Sequence, residues 1–173
     1  MKLAVLTLAL VLHRSLAFWD FGHTYVPKIA QDELMKTPEG RIALGRANQL
    51  LSIYKKARPD MTPSEGNYPF VECGRFADEI REDPAKDGNW QFYWHFVDTG
   101  FFDEGGSPKD YPGFIKEVDS IDKAIPYIIN WLTKQGDYKN NFVYTTMMEK
   151  YQSEQEALSV SVRFLVHYMG DLH

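Results

Sequence analysis

The sequence predicts an all-α fold, and three observations point to it. Four stretches place apolar residues at helical spacing, near 22–36, 38–57, 117–135 and 154–171. Helix-starting chemistry stands ahead of two of them, Thr37-Pro38-Glu39 and Ser153-Glu-Gln-Glu156. The segments between are rich in Pro and Gly and read as loops. No internal repeat or second domain is evident.

The first seventeen residues are read apart from the fold. Lys2 precedes an apolar run that ends in Ser15-Leu16-Ala17, the charged, apolar and small-residue regions of a secretory signal. The run is too short for a membrane span. Cleavage after Ala17 leaves Phe18 as the first mature residue. The domain is then 18–173, with a secreted product or one held in the lumen of the secretory and lysosomal pathway.

Each element has its reason. Tyr25, Val26, Ile29, Ala30 and Leu34 form the apolar stripe of the first helix. The second starts at the Thr37 cap, carries Ile42, Leu44, Leu50, Leu51 and Tyr54, and stops at Arg58-Pro59. Pro59, Pro63, Gly66 and Pro69 mark a loop, and a short helix follows near 71–82. Asp87-Gly88-Asn89 is a turn. Residues 90–98 are rich in aromatics, so propensity allows a strand, while the helical context allows a helix or extended segment. Residues 99–113 read as a Gly/Pro-rich loop. Helix 117–135 points Val118, Ile121, Ile125, Ile128, Ile129 and Leu132 inward, with a kink expected at Pro126. The last helix opens on the Ser153–Glu156 capping box.

Composition narrows the function. The formal charge is −5 and falls to −7 once Lys2 and Arg14 leave with the signal. An acidic chain does not steer a polyanion over long range, which argues against a groove-reading DNA-binding module. Cys73 is the single cysteine, so no internal disulfide forms; a buried free thiol is expected.

Chemistry concentrates in a few apolar segments. His167 and Asp171 stand four apart and share one helical face. His23, Asp78 and His95 each sit among apolar or aromatic neighbours. An isolated His/Asp pair is commonly a hydrogen-bonded core pair. Several imidazoles and carboxylates in apolar surroundings also suit a borderline cation such as Zn²⁺, which offsets their desolvation.

Taken in order, these segments resemble a known family. Gly22-His23 lies five residues after Phe18. Then come Ala77-Asp78-Glu79-Ile80-Arg81, His95-Phe96-Val97-Asp98 and His167-Tyr168-Met169-Gly170-Asp171-Leu172-His173. The chain is similar, across 18–173, to the secreted zinc-dependent single-strand-specific nucleases, the class I or 3′-nucleotidase/nuclease family. That family shares its fold with bacterial zinc phospholipase C. The resemblance implies a multi-helical single domain of phospholipase C/nuclease type, truncated at its C terminus, because the family motif continues beyond His173.

The resemblance also implies ligands. Asp78, His95, His167 and Asp171 would hold one zinc. The amino and carbonyl groups of Phe18, with His23 and Asp171, would hold a second, so that Asp171 bridges. Phe18 stands where the family usually has Trp; backbone atoms do the ligating. Three zinc ions are expected of the family, and two sites are represented here; His173 matches a position that is not normally a ligand.

Arg81 would clamp a phosphate oxygen, although a surface pairing with Glu82 or Asp83 is equally open on the residues alone. Phe96 would stack a nucleobase, or else pack in the core. Asp98 would orient water or a ligand imidazole, or cap a helix. Glu79 reads as exposed. The implied activity is zinc-dependent hydrolysis of single-stranded DNA and RNA to 5′-phosphate products, with 3′-nucleotidase activity. Its partners are then single-stranded nucleic acid and 3′-nucleotides, with no membrane and no obligate protein partner. A zinc phospholipase C-like lipase and a non-catalytic metal-binding protein of the same fold are the rival readings.

Overall fold

The computed structural model describes residues 19–97, 105–106 and 119–172. Four residues singled out above, Phe18, Asp98, Val118 and His173, lie outside that set, as do the signal segment and most of the 99–113 loop. Among the described residues every regular element is helical.

The described residues form seven α-helices in turn: α1 Trp19–Met35, α2 Pro38–Ala57, α3 Pro69–Glu72, α4 Phe76–Glu82, α5 Ile121–Thr133, α6 Phe142–Lys150 and α7 Glu154–Asp171. Shorter 3₁₀ turns cover Pro59–Met61, Cys73–Arg75, Pro84–Lys86 and Asn89–His95. The caps are those the side chains dictate. Thr37 accepts from the Gly40 N–H and Ser153 from the Glu156 N–H, each satisfying a first-turn donor.

Helix α7 is the axis of the molecule. It packs against α1, α2, α4, α5 and α6 and against both the 73–75 and 89–95 turns. Residues all round it are buried, from Ala157 to Gly170, which is the signature of a helix inside a core rather than on its surface. On one side lies a cluster with Phe76, Trp94, Ile128, Trp131, Phe164 and Tyr168. On the other lies a smaller one of Leu51, Cys73, Val162 and Val166. Cys73 is buried and free, and burial pushes its thiol pKa well up.

The structure departs from the sequence reading in places that share a cause. Tyr25 and Ile29 are exposed, at 66% and 61%. The inward line of α1 instead runs through His23 and Pro27, because α1 docks by the His23 ring. Ile42 and Ile129 are likewise exposed. Helix α6, which no strong apolar stripe announces, is started by Asn141 accepting from the Tyr144 N–H and held by buried Val143 and Met147. Helix α5 runs on through Pro126. The aromatic 90–98 segment is neither strand nor α-helix over its described part. Residues 89–95 form a 3₁₀ turn, and Gln91 fixes it from inside: its amide donates to the Ala77 carbonyl at 3.0 Å and its carbonyl accepts from the Tyr168 hydroxyl at 2.8 Å.

Candidate metal centre and active site

The near-three-residue period of the 89–95 turn sorts its side chains. Gln91, Trp94 and His95 face inward, while Phe92 and Tyr93 face out, followed by exposed Phe96. His95 thereby meets the end of α7. Helix α4 brings Asp78 from beneath, and α1 brings His23 from the side. Five residues from four segments converge: His23, Asp78, His95, His167 and Asp171.

The contacts are close. Asp171 accepts from His95 Nδ1 at 2.9 Å, and its oxygens stand 3.4 Å from both His23 Nε2 and His167 Nε2. His167 Nε2 is 3.2 Å from His95 Nδ1 and 3.8 Å from Asp78. His23 Nε2 lies 3.7 Å from Asp78. The His23 and His167 rings stack, centroids 3.8 Å apart and 15° from parallel. Two overlapping triads result, His23–Asp78–His167 and His95–His167–Asp171, each with its donor atoms within 4.8 Å. His167 belongs to both; Asp171 turns one oxygen to His23 and the other to His95 and His167.

Backbone atoms set the tautomer of the central ring. The Gly74 carbonyl can only accept, so His167 Nδ1–H donates to it at 2.6 Å. That leaves a lone pair on Nε2, pointed at the carboxylates and at His95. Two glycines make the approach possible. A Cβ on Gly170 would stand 2.6 Å from His23 Nδ1, and one on Gly74 would stand 1.9 Å from the His23 carbonyl oxygen. The Gly-Asp step of α7 thus has a steric reason: His23 lies against Gly170.

The site is electrostatically uncomfortable. Burial pushes the His167 imidazole pKa down to about 3 against the upward pull of Asp171, so this ring is neutral. Burial also pushes the Asp78 carboxyl above the ordinary carboxylate range, outweighing Arg81 and the nearby imidazoles. Burial acts to raise Asp171 too, but the His95 hydrogen bond and the imidazoles outweigh it, and that carboxyl sits below its usual value. His23 Nδ1 and His95 Nε2 are buried with no hydrogen-bond partner among the described residues. Both lie on the far edges of their rings; the atoms turned to the cluster are His23 Nε2 and His95 Nδ1, which meet His167 Nε2 and the two carboxylates there. The gaps of 2.9–3.8 Å match the roughly 3.3 Å edge of a tetrahedron built on metal–ligand distances of about 2.0–2.1 Å. A zinc-sized cation fits this donor set.

Arg81 is held at the rim. Its guanidinium is 2.8 Å from Asp78 and 3.8 Å from Glu82, and it lies over the Phe92 ring. Glu79 is not exposed as its sequence context suggests. It is 18% accessible, accepts from the Ser64 hydroxyl at 2.5 Å and meets Arg75 at 3.3 Å, because α4 turns this face onto the 62–66 loop.

Sequence reasoning missed a second buried charge cluster one turn earlier on α7. Arg163 is wholly buried and grips Glu65 through Nε at 2.6 Å and Nη2 at 2.7 Å. It also donates to the Ser159 and Leu51 carbonyls at 2.9 and 2.8 Å. No local signal marks this pair, since its members are 98 residues apart.

With the fold and site described, the family follows. The S1/P1 Nuclease family model matches residues 18–173. The chain belongs to the S1/P1 nuclease family, which implies nuclease-type phosphodiester hydrolysis. Curated proteins and solved structures return no match. Among the described residues no helix is long and apolar enough to cross a membrane.

Proposed function

We propose that this chain is a secreted, zinc-dependent nuclease that cleaves single-stranded DNA and RNA to 5′-phosphate products and removes phosphate from 3′-nucleotides. The observation that carries the reading is the meeting of three imidazoles and two carboxylates in two triads whose donor atoms lie within 4.8 Å of one another. His23, Asp78, His95, His167 and Asp171 would hold the zinc, with the freed amino end of Phe18 as a further donor and Asp171 shared between ions. Three ions are proposed for the complete site. Bound there, zinc supplies Lewis acidity that makes water nucleophilic near neutral pH and offsets phosphate charge.

The protein's own groups do the rest. Gly74 and Gly170 hold His167 and His23 in place, so the donors need no rearrangement. Arg81, already paired to Asp78, offers further N–H groups to a non-bridging phosphate oxygen. Asp98 orients the attacking water or a ligand imidazole. As the water oxygen joins phosphorus, the bond to the 3′ oxygen breaks; that oxygen takes up a proton and leaves as a hydroxyl, and the phosphate stays on the 5′ side. Phe96, 39% exposed beside His95, stacks a nucleobase. A base is free for such stacking only when unpaired, which accounts for single-strand preference. Secretion rests on the signal pattern of residues 1–17.

The test is hydrolysis of denatured DNA, RNA, 3′-nucleotides and phosphatidylcholine by the secreted protein, with metal analysis before and after chelation. Cleavage of the nucleic acids, lost on chelation and restored by zinc, is expected. Bound zinc with no turnover of any nucleotide substrate would defeat the reading, and turnover of phosphatidylcholine alone would replace it with the lipase.

A further inference from the structure

Beside the cluster lies an exposed apolar surface that extends from Phe96 into residues with no part in the chemistry described so far. Phe92, Tyr93, Phe96 and Val97 are 40%, 53%, 39% and 53% exposed. The three rings are in contact: Phe92 touches Tyr93 and Phe96, with ring centroids 5.3 Å apart in both pairs. The 3₁₀ period that buries Gln91, Trp94 and His95 turns Phe92 and Tyr93 outward, and exposed Phe96 follows the turn in extended backbone. A contiguous exposed aromatic patch at the edge of a polar site usually marks recognition.

We propose that Phe92 is a second nucleobase platform, so that the site takes at least two successive nucleotides of a single strand; this rests on the nuclease reading above. Three observations carry it. First, the patch is continuous with the phosphate-handling groups. Phe92 lies between Arg81, whose guanidinium carbon is 5.8 Å from its ring centroid, and Phe96, which follows His95. Cation beside rings is the complement of phosphate beside bases.

Second, the ring geometry excludes one shared base. Sandwiching a base between two rings needs parallel rings about 7 Å apart, twice the ~3.5 Å carbon contact distance. Phe92 and Phe96 are 5.3 Å apart and tilted by 55°. They present separate faces at an angle, suited to two neighbouring bases splayed from each other. Third, the chain is acidic. Long-range attraction does not supply affinity for a polyanion, so local stacking must contribute more of it. Tyr93 supports Phe92 edge-on, at 86°.

The test compares a thymidine decanucleotide with thymidine 3′-monophosphate, using the secreted protein and its Phe92→Ala, Phe92→Leu and Phe92→Trp variants. Stacking of one base is worth about 5- to 150-fold in affinity by alanine replacement. Phe92→Ala should raise KM for the decamer by a factor in that range, and by several-fold less for the mononucleotide. Phe92→Trp should restore decamer KM, whereas Phe92→Leu, which keeps apolar bulk without a π face, should not. A decamer KM within twofold of wild type for Phe92→Ala overturns the proposal. So does full rescue by leucine, or an equal rise for both substrates, since each marks Phe92 as a mere support for Arg81 and Phe96. A fluorescent, cleavage-resistant phosphorothioate decamer read by anisotropy repeats the comparison without turnover. If wild type hydrolyses nothing, the nuclease reading fails, and loss of decamer binding in Phe92→Ala still decides whether the platform exists.

Discussion

Helix α7 carries two buried charge clusters, one helical turn apart, and they are built on opposite principles. Around Arg163 every demand is met: Glu65 takes two of its N–H groups, the Leu51 and Ser159 carbonyls take others, and the Tyr54 and Phe76 rings flank the guanidinium. Around His167 demands are left open. Two ring nitrogens have no hydrogen-bond partner among the described residues, one carboxyl is pushed up despite its Arg81 partner, and the other is faced by imidazoles. A closed polar network fixes a core. An open one of similar burial is poised for something to enter it. Completeness of hydrogen bonding, rather than burial, separates structure from function here.

The largest effects should come from the open cluster. Asp171→Asn is expected to lose two metals at once and to lower activity on the order of 10³-fold, since the metals supply several kcal/mol of transition-state stabilisation. His95→Ala should lose mainly one metal. Equal losses in metal analysis would show that Asp171 does not bridge. The contrasting variant is Asp78→Asn. Its carboxylate is disfavoured by burial in the folded protein, so the metal-free variant should be more stable than metal-free wild type at pH 7, even as its metal affinity falls.

The closed cluster should answer in stability. Arg163→Met leaves Glu65 buried without its partner and should cost about 3–5 kcal/mol in denaturant unfolding. Adding Glu65→Leu should return most of that loss, because an apolar pair of similar volume replaces an ion pair nearly without penalty. A double variant as unstable as the single one would mean that the pair positions α7 by more than its charge balance.

The two clusters also differ in how far the sequence discloses them. His23, Asp78, His95, His167 and Asp171 are legible because imidazoles and carboxylates inside apolar runs are chemically conspicuous, and because their order resembles a nuclease pattern. Arg163 and Glu65 are typical surface residue types separated by 98 positions, so only the packing of α7 against α2 and the 62–66 loop pairs them. The fold shows the same division. Capped helices with broad apolar stripes can be read ahead of the structure. The facing of α1 cannot, because Tyr25 and Ile29 carry the hydrophobic signal while the His23–His167 stack decides which side docks. The 89–95 turn is ambiguous because its aromatics point both ways.

Gly170→Ala probes the steric frame of the open cluster. Its Cβ would meet His23 Nδ1 at 2.6 Å, so the ring must move away from Asp78 and Asp171. Overpacking of this kind costs about 1–3 kcal/mol, but the sharper expectation is weakened metal binding in isothermal titration with folding retained. Metal affinity equal to wild type would mean that His23 is not held by this contact.

The smallest effect is a pH dependence that belongs to the open cluster alone. The His167 pKa falls from an ordinary value near 6.5 to about 3 in the folded protein. Below 6.5 the unfolded chain takes up a proton that the native ring refuses, so native stability is full above that value and is lost as pH falls from 6.5 toward 3. Asp78 acts in the opposite sense, because its raised carboxyl pKa favours the fold as acid is added. Asp78 therefore makes the slope for metal-free protein shallower than His167 alone would give, while Asp171, whose carboxyl sits below its usual value, adds to the loss at the acid end. Urea unfolding of chelated protein between pH 7 and pH 4 should show stability declining with acid, and His167→Gln should flatten the decline. The Arg163→Met, Glu65→Leu double variant should leave the slope unchanged, since it removes both charges of that pair together. A slope altered by that double variant and untouched by His167→Gln would reverse the assignment of the two clusters.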